Sequence, residues 1–587
     1  MTMTEPHGAR RDRWLNRLGA RLSGLGPKAR AFVSQPEPRT IGSFARGRQL
    51  CAGNFLFAGY LVEAPEAGIW DLPMPDAAFE TEVHGFIWLD DLAAVADLTA
   101  RHRAQLWTHE WVKRFGGGGG PGWVADLTGR RLMRWINHAV FLLNGQDSET
   151  SAAFFRSMSR QANFLARRWK SAEIGLPRFE ALCGLAHAGL ALQGMERHLP
   201  PACKALEREC TLRIDVEGGL PSRNPEELLS VFVLLTWTVA TLEESGATPP
   251  SGIVEAIQRI APTLRSLRHA DGSLARFHGG GRGLDGWLDQ ALAASGVRHM
   301  RHKGLSMGFA RLSHGRTTVI VDAAPPPTGE NSLNGHASTL AFELTSGRRP
   351  LIVNCGSGES FGSSWRRAGR ATPSHSTLSI EGFSSSRLGG SGMIAGRRTE
   401  LLIDTPKDVS VNRPETGRGA ALILSHDGYA VTHGLVHYRR LELASDGRSL
   451  IGDDSLSALT QEAERIFDEA FDRSGLQGIP FQVRFHLHPD VHAELDMGGA
   501  AVSMALKSGE IWVFRHDGVA ALTLAPSVYL EKGRLSPRAT KQIVLSAAAV
   551  DYGTRIGWTL AKAQDTPSHI RDLSAEDDLA QTDRQQV

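Results

Sequence analysis

The sequence predicts an α+β multidomain protein, a helical N-terminal half followed by a C-terminal antiparallel β-sandwich. Three observations carry this expectation. The chain has 587 residues, enough for two or more domains with sizeable cores. Before about residue 300 apolar side chains recur at helical spacing; after it the period becomes two, with frequent turn residues. Many short strands joined by turns favour a sandwich, with a barrel as the alternative.

Residues 1–38 read as a basic arm in which Arg10, Arg11, Arg13, Arg17, Arg21, Lys28 and Arg30 interleave with Trp14, Leu15, Leu18 and Leu22. No uninterrupted apolar core of roughly 7–15 residues marks it as a secretory signal. The arm is either a mobile or surface-lying segment or a peripheral membrane contact. Residues 39–297 are the helical domain. Trp88, Leu89, Leu92 and Val95 mark one helix. Leu132, Trp135, Ile136, Val140 and Leu143 mark a second, and Leu182, Leu185, Ala188, Leu192 and Met195 a third. Leu228 to Leu242 is apolar nearly all round, as in a buried helix; Asn224 as N-cap, Pro225 at the first position and Glu226 and Glu227 in the first turn signal its start. Gly116 to Gly120 is a loop without phosphate-loop spacing, and Gly279 to Lys303, which holds Gly279-Gly280-Gly281, is the linker. Residues 298–564 are the β domain, with strands expected at Thr317 to Val321, Thr339 to Leu344, Leu351 to Val353, Gly419 to Leu424, Leu435 to Leu443, Phe481 to Leu487, Ile511 to Phe514 and Gln542 to Leu545. Residues 565–587 are polar and acidic and read as a disordered tail.

Lys and Arg number 65 against 63 Asp and Glu, so the charge balance gives no nucleic-acid footprint. The five cysteines are scattered with no C-x-x-C pair, which argues against a disulfide framework and a thiolate zinc site. No run approaches the roughly 20 apolar residues of a membrane span.

The chemistry concentrates between Asn334 and Ile380. Asn334-Gly335-His336-Ala337-Ser338-Thr339-Leu340-Ala341-Phe342-Glu343-Leu344 is followed by Val353-Asn354-Cys355-Gly356 and by His375-Ser376-Thr377-Leu378. On a strand Asn334, His336 and Ser338 would project together, and two imidazoles with an amide brought close by pairing would make a small metal or substrate site. This pattern resembles the heparinase II/III family of polysaccharide lyases, whose β-domain signature has the shape H-x-H-A-D-x-x-S-F-E-L, then V-D-x-G, then H-N/S-T-L. Looser matches in the helical half are Trp88-Leu89-Asp90-Asp91-Leu92, Arg131 to Ile136, and Gly218-Gly219 before Ser222-Arg223-Asn224-Pro225; Arg484 to Pro489 is a further match in the β half. The resemblance covers roughly residues 40 to 560 and implies an incomplete α/α toroid followed by the sandwich.

It also implies β-elimination on a uronate-containing, acidic polysaccharide. Such a lyase must neutralise the uronate carboxylate, remove the C5 proton and protonate the leaving oxygen; a positioned acid or base contributes about 10²–10⁴-fold. The family's zinc ligands fall on His336, Asn354 and His375, where Asn354 replaces an Asp and is the poorer ligand. The resemblance thus implies one zinc ion, and the alternative is a hydrogen-bonded pair of interior histidines bracing Asn354. The first His of H-x-H is Asn334 here, which can donate a hydrogen bond but cannot act as a base. Where the family has a catalytic Tyr in the helical half this chain offers Glu227, and Tyr60 is the sole tyrosine before residue 429. Arg223 and Asn224 are candidates to hold the carboxylate, Asn224 being equally an N-cap and Arg223 a loop charge. His84 is a candidate base or a structural residue, and His278 is another of the same kind. Arg366, Arg367 and Arg370 form a basic segment fit for an acidic glycan or for plain surface charge.

Two function classes follow. One is a lyase with diverged catalytic residues. The other is a non-catalytic glycan-binding or cell-envelope protein that retains the lyase scaffold. The resemblance implies the cell envelope (periplasm) as location, whereas the absence of a recognisable signal points to the cytoplasm.

Overall fold

A computed structural model describes residues 7–34, 38–298, 304–394, 397–417 and 419–563. The predicted tail, 565–587, lies outside them. A helical region comes first and a β region second, in the predicted order.

Helix formation in the first region follows caps and apolar faces. Asp97 and Asp147 cap Leu98–Phe115 and Ser148–Arg168 through their carboxylates, and Asn224 accepts from the backbone N–H groups of Glu226 and Glu227 to start Pro225–Glu244. Among the described helices Pro225–Glu244 alone is long and apolar enough to cross a membrane, and 67% of its apolar 18-residue stretch is buried inside the protein, as in a core helix. Two helices meet through glycine: a Cβ on Gly129 of Ala125–Asn137 would stand 2.2 Å from the Glu180 carbonyl of Leu176–Ala191, and one on Gly184 would stand 2.5 Å from Gly129. Only hydrogen fits at that crossing. Trp88, Trp107, Trp111 and Trp135 are fully buried in the adjoining core. The second predicted helix is in fact two: Ala125–Asn137 ends at His138, and Ala139–Leu143 begins anew. The break lets the His138 ring reach Asp90, with Nε2 2.9 Å from Oδ1, and Thr40 at 3.1 Å.

The second region holds two large antiparallel sheets. One runs Ala521–Tyr529, Arg538–Ala549, Ile479–Leu487, Arg349–Val353, Phe342–Ser346, Thr317–Asp322 and Phe309–His314, with the short Leu378–Ile380 also paired to Ile479–Leu487. The other runs Val409–Asn412, Gly419–Tyr429, Leu435–Ala444, Ser449–Ser457, Gly553–Lys562, Ile511–His516, Ala501–Ala505 and His492–Asp496. Both contribute to one apolar core, in which Phe342, Leu344 and Phe485 of the first sheet pack with Leu441, Trp512 and Trp558 of the second. Phe342 and Trp558 stack with centroids 6.0 Å apart and planes 4° from parallel.

Inside that core lies a buried ionic knot. Arg439 makes a two-pronged pair with Asp454, and His437 and Trp558 also bond the same carboxylate. Burial would raise the Asp454 carboxyl, but Arg439 and His437 hold it well below the usual carboxylate range. The other arm of Arg439 donates to the carbonyls of Leu340 (2.8 Å) and Ser376 (2.9 Å). Those carbonyls belong to the loops that carry His336 and His375, so the core charge fixes the loop geometry.

Candidate functional site

Residues 333–341 form a turn-rich loop rather than the expected strand, which starts at Phe342. Asn334, His336 and Ser338 therefore do not share a strand face. Ser338 donates to Asp322 Oδ2 at 2.6 Å, while His336 turns to the 371–377 loop. The backbone N–H of His336 donates to His278 Nδ1 at 3.1 Å, which leaves the proton of that ring on Nε2, 3.4 Å from Asp322 Oδ2. His375 Nδ1 lies 2.9 Å from the Ala371 carbonyl and so donates to it; His375 Nε2 is then an acceptor, 2.9 Å from His336 Nδ1. Burial lowers the His375 pKa to about 4 and that of His336 well below its ordinary value, so both rings are neutral at pH 7.

This geometry overturns the zinc expectation at His336, Asn354 and His375. Two nitrogens ligating one tetrahedral zinc at about 2.0–2.1 Å would stand roughly 3.3 Å apart with lone pairs converging. Here one ring donates to the other at hydrogen-bond distance. Asn354 accepts from the backbone N–H of Ser376 at 3.0 Å instead of joining them. Among the described residues no cluster of three or more His, Cys, Asp or Glu side chains is disposed to hold a metal ion. The alternative is met in part: the interior histidine pair is present, but it does not brace Asn354, whose side-chain oxygen is held by the Ser376 N–H.

Arg223 is 8% exposed and joins the two regions. Its Nη2 donates to Asp322 Oδ1 at 2.5 Å and to the Gly308 carbonyl at 2.9 Å; Nε donates to Met307, and Nη1 to Ala324 and Pro325. Burial works to raise the Asp322 carboxyl, yet Arg223 and His278 hold it well below the usual carboxylate range. Asn224 sits beside it as the helix cap. Asn334 accepts from Arg366 Nη2 at 2.9 Å. His84 lies elsewhere, in the tryptophan core: it accepts from Trp111 Nε1 at 3.1 Å, its ring is 5.1 Å from Trp70, and burial lowers its pKa to about 3. The structure thus brings Arg223, Asn224, Asn334, His336 and His375 near one junction and leaves His84 out of it. The basic segment is likewise committed: Arg370 donates to the carbonyls of Gly335, Ser332 and Glu400, and Arg367 pairs with Glu400.

Several site residues were not singled out from the sequence. Asp322 ends the β-branched run from Thr317, and an acid closing a fully buried strand was the available signal. Gly279, Gly280 and Gly281, read as a linker, pave the junction. A Cβ on Gly279 would stand 2.8 Å from Asn334 Cβ, one on Gly280 2.6 Å from Asn224 Oδ1, and one on Gly281 3.2 Å from the Lys532 side chain. Lys532 pairs with Glu226 at 2.6 Å across the two regions. Burial disfavours its charge, but Glu226 first and then Glu359 and Glu82 more than offset that and raise its pKa. The tip of the hairpin Asn54–Phe57/Tyr60–Glu63 also reaches across, so closely that a Cβ on Gly59 would lie 2.5 Å from the Ser360 carbonyl.

Comparison with known proteins agrees with this architecture. Residues 296–559 match the family described as heparinase II/III-like, C-terminal. FtsZ-localized protein C from Caulobacter vibrioides is 32% identical over 564 residues, covering 94% of each chain. Among solved structures, heparinase III superposes with a TM-score of 0.67 at 13% identity, over 90% of this chain and 87% of that one. The heparan sulfate lyase HepC from Pedobacter heparinus, as a mutant, gives 0.57 at 14% identity over 95% and 90%. At such identities the superpositions speak for the fold alone. The chain belongs to the same family as FtsZ-localized protein C, and its residues 296–559 are a heparinase II/III-like C-terminal region.

Proposed function

We propose that this protein keeps the lyase scaffold as a non-catalytic binding platform and that, like its Caulobacter relative, it is localised to FtsZ. In this reading the helical half is an incomplete α/α toroid, the β half a sandwich, and the junction between them a rigid contact instead of a working cleft. The observation that carries it is the commitment of each residue suited to elimination chemistry at the junction. Arg223 is locked to Asp322 and four carbonyls, Asn224 caps a helix, Asn334 is held by Arg366, and Glu227 accepts from Ser222. Among the described residues the titratable groups at the junction are paired: His278 lies 3.4 Å from Asp322, His336 bonds His375, and Lys532 pairs with Glu226. Charge supports the same reading, because Lys532 at the junction is surrounded by Glu226, Glu359 and Glu82, which repel a polyanion. A role with FtsZ also favours the cytoplasmic location over the envelope.

The test combines two assays on the purified full chain. Co-sedimentation with FtsZ polymers is expected. With heparan, hyaluronan, alginate and polyglucuronate, no ultraviolet absorbance from a C4–C5 double bond is expected to develop. Absorbance that grows with wild type and is lost in His336→Ala would reverse the conclusion in favour of a uronate lyase, a reading that otherwise rests on family and fold. Absence of the chain from FtsZ pellets would remove the FtsZ assignment separately.

A further inference from the structure

At the break between Ala125–Asn137 and Ala139–Leu143 lies a cavity of about 510 Å³, within the roughly 300–1,000 Å³ of small-molecule sites. Its lining is mostly apolar and includes Pro38, Ala93, Ile136, Ala139 and Phe141; none of its residues belongs to the junction with the β region. Residues 38–42 bound it because Gly42 packs directly on the helix Ile87–Val95, where a Cβ would stand 1.9 Å from the Asp90 carbonyl. Gln105 Nε2 donates to the carbonyls of Phe141 at 3.3 Å and Asn144 at 2.9 Å, which ties the short helix to Leu98–Phe115.

The polar groups of the lining divide into committed and uncommitted ones. Asp90 is committed, to Arg134 Nε at 2.8 Å and His138 Nε2 at 2.9 Å. Three other groups have no hydrogen-bond partner among the described residues. The Asn137 amide is one, in a side chain only 7% exposed. Arg101 Nε is another; its guanidinium pairs with no described carboxylate and rests 5.8 Å from the centroid of the Phe141 ring. With Nε2 turned to Asp90 and Thr40, Nδ1 of the buried His138 is the third.

Buried polar groups without partners destabilise a fold unless a ligand or ordered water supplies the missing bonds. Water needs two to four polar partners of its own, and a mostly apolar lining gives it few. Because Asp90 is paired, Arg101 is the uncompensated charge of the lining, so the ligand that fits is an anion. A carboxylate matches the planar guanidinium fork. An amide offers both the donor and the acceptor that Asn137 requires, and the apolar lining takes a hydrocarbon or aromatic body. We propose that this cavity binds an N-acyl amino acid with an apolar side chain, its carboxylate on Arg101, its amide on Asn137 and its side chain against Ile136, Ala139 and Phe141. The same chemistry occurs free or as the last residue of a polypeptide. The site is separate from the junction and independent of the FtsZ and glycan readings above.

The full chain is titrated calorimetrically with N-acetyl-leucine, N-acetyl-phenylalanine and N-acetyl-tryptophan, and with the neutral C-terminal amide of each. At least one acid is expected to bind with a Kd below about 1 mM. Its neutral amide is expected to bind about tenfold more weakly, the loss of a charge-assisted hydrogen bond. Arg101→Met keeps the apolar stem and is expected to weaken the acid by about tenfold while leaving the neutral amide unchanged. Asn137→Leu is expected to weaken acid and amide alike by about fivefold. Both variants should unfold near the wild-type midpoint, because neither side chain hydrogen-bonds the described protein. A longer peptide ending in the residue that binds best separates the sources: retained affinity makes the ligand a chain terminus, and exclusion makes it a free acid. Failure of all three acids to bind wild type would overturn the proposal, as would equal affinity for acid and neutral amide, or an acid affinity unchanged in Arg101→Met.

Discussion

Replacing Arg223 with Ala separates a structural from a substrate-holding role. In the structure the guanidinium reaches Asp322, an acid with no exposed surface, and four backbone carbonyls from Met307, Gly308, Ala324 and Pro325. Removing it leaves a buried carboxylate without its main partner, a loss of about 3–5 kcal/mol. Because Arg223 comes from the helical region and Asp322 from the first large sheet, the loss falls on the coupling between them. Urea unfolding followed by far-ultraviolet circular dichroism and by tryptophan fluorescence should show an earlier midpoint and, where the two regions uncouple, two transitions in place of one. Arg223→Met/Asp322→Leu, which removes both charges, should recover much of the stability, and the double-mutant cycle should return a coupling energy above about 1 kcal/mol. A midpoint unchanged in Arg223→Ala, together with lost binding or cleavage of an acidic glycan, would refute the structural reading and make the guanidinium a free clamp.

Three other outcomes follow from the same geometry. Stability should fall with acid below pH 6.5, because His84, His375 and His486 are held neutral by burial with pKa values of about 3, 4 and 3, and protons favour the unfolded chain in that window. At pH 5 each contributes a loss of about 2 kcal/mol relative to pH 8, measurable by urea titration across pH; a flat profile between 6.5 and 4 would contradict neutral burial. Gly280→Ala should lose about 1–3 kcal/mol, since its Cβ would press on the Asn224 carbonyl oxygen that caps Pro225–Glu244, and thermal unfolding would register it. Zinc added to metal-free protein should leave the melting temperature of wild type and of His336→Gln/His375→Gln shifted equally, because the two rings bond each other; a stabilisation specific to wild type would restore a metal role.

Local rules carried the sequence a long way. The order of helical and β regions, the cap at Asn224, the all-round apolar helix behind it and the family signature around His336 depend on residues close together in the chain, where periodicity and capping act. The helix through Leu143 breaks at His138, whose backbone (φ −103°, ψ 21°) leaves the helical region and whose ring bonds Asp90, 48 residues away. No strand forms through Asn334; in the loop there Ser338 bonds Asp322 and His336 bonds His375. What only the tertiary structure decided was which partner each polar residue found. Arg223 and Asp322 lie 99 residues apart, and His336 and His375 lie 39 apart; no spacing in the chain states that the first pair is an ion pair and the second a hydrogen bond without a metal. Nor could an amphipathic pattern at Trp14, Leu18 and Leu22 say which face would dock, because that choice was made by Asn16, Gly19, Ala20 and Ser23 fitting against Ser148–Arg168. The sequence by itself determined the order of helical and β regions and the family signature, whereas long-range burial and pairing decided where single elements break and what the chemistry-bearing side chains are available to do.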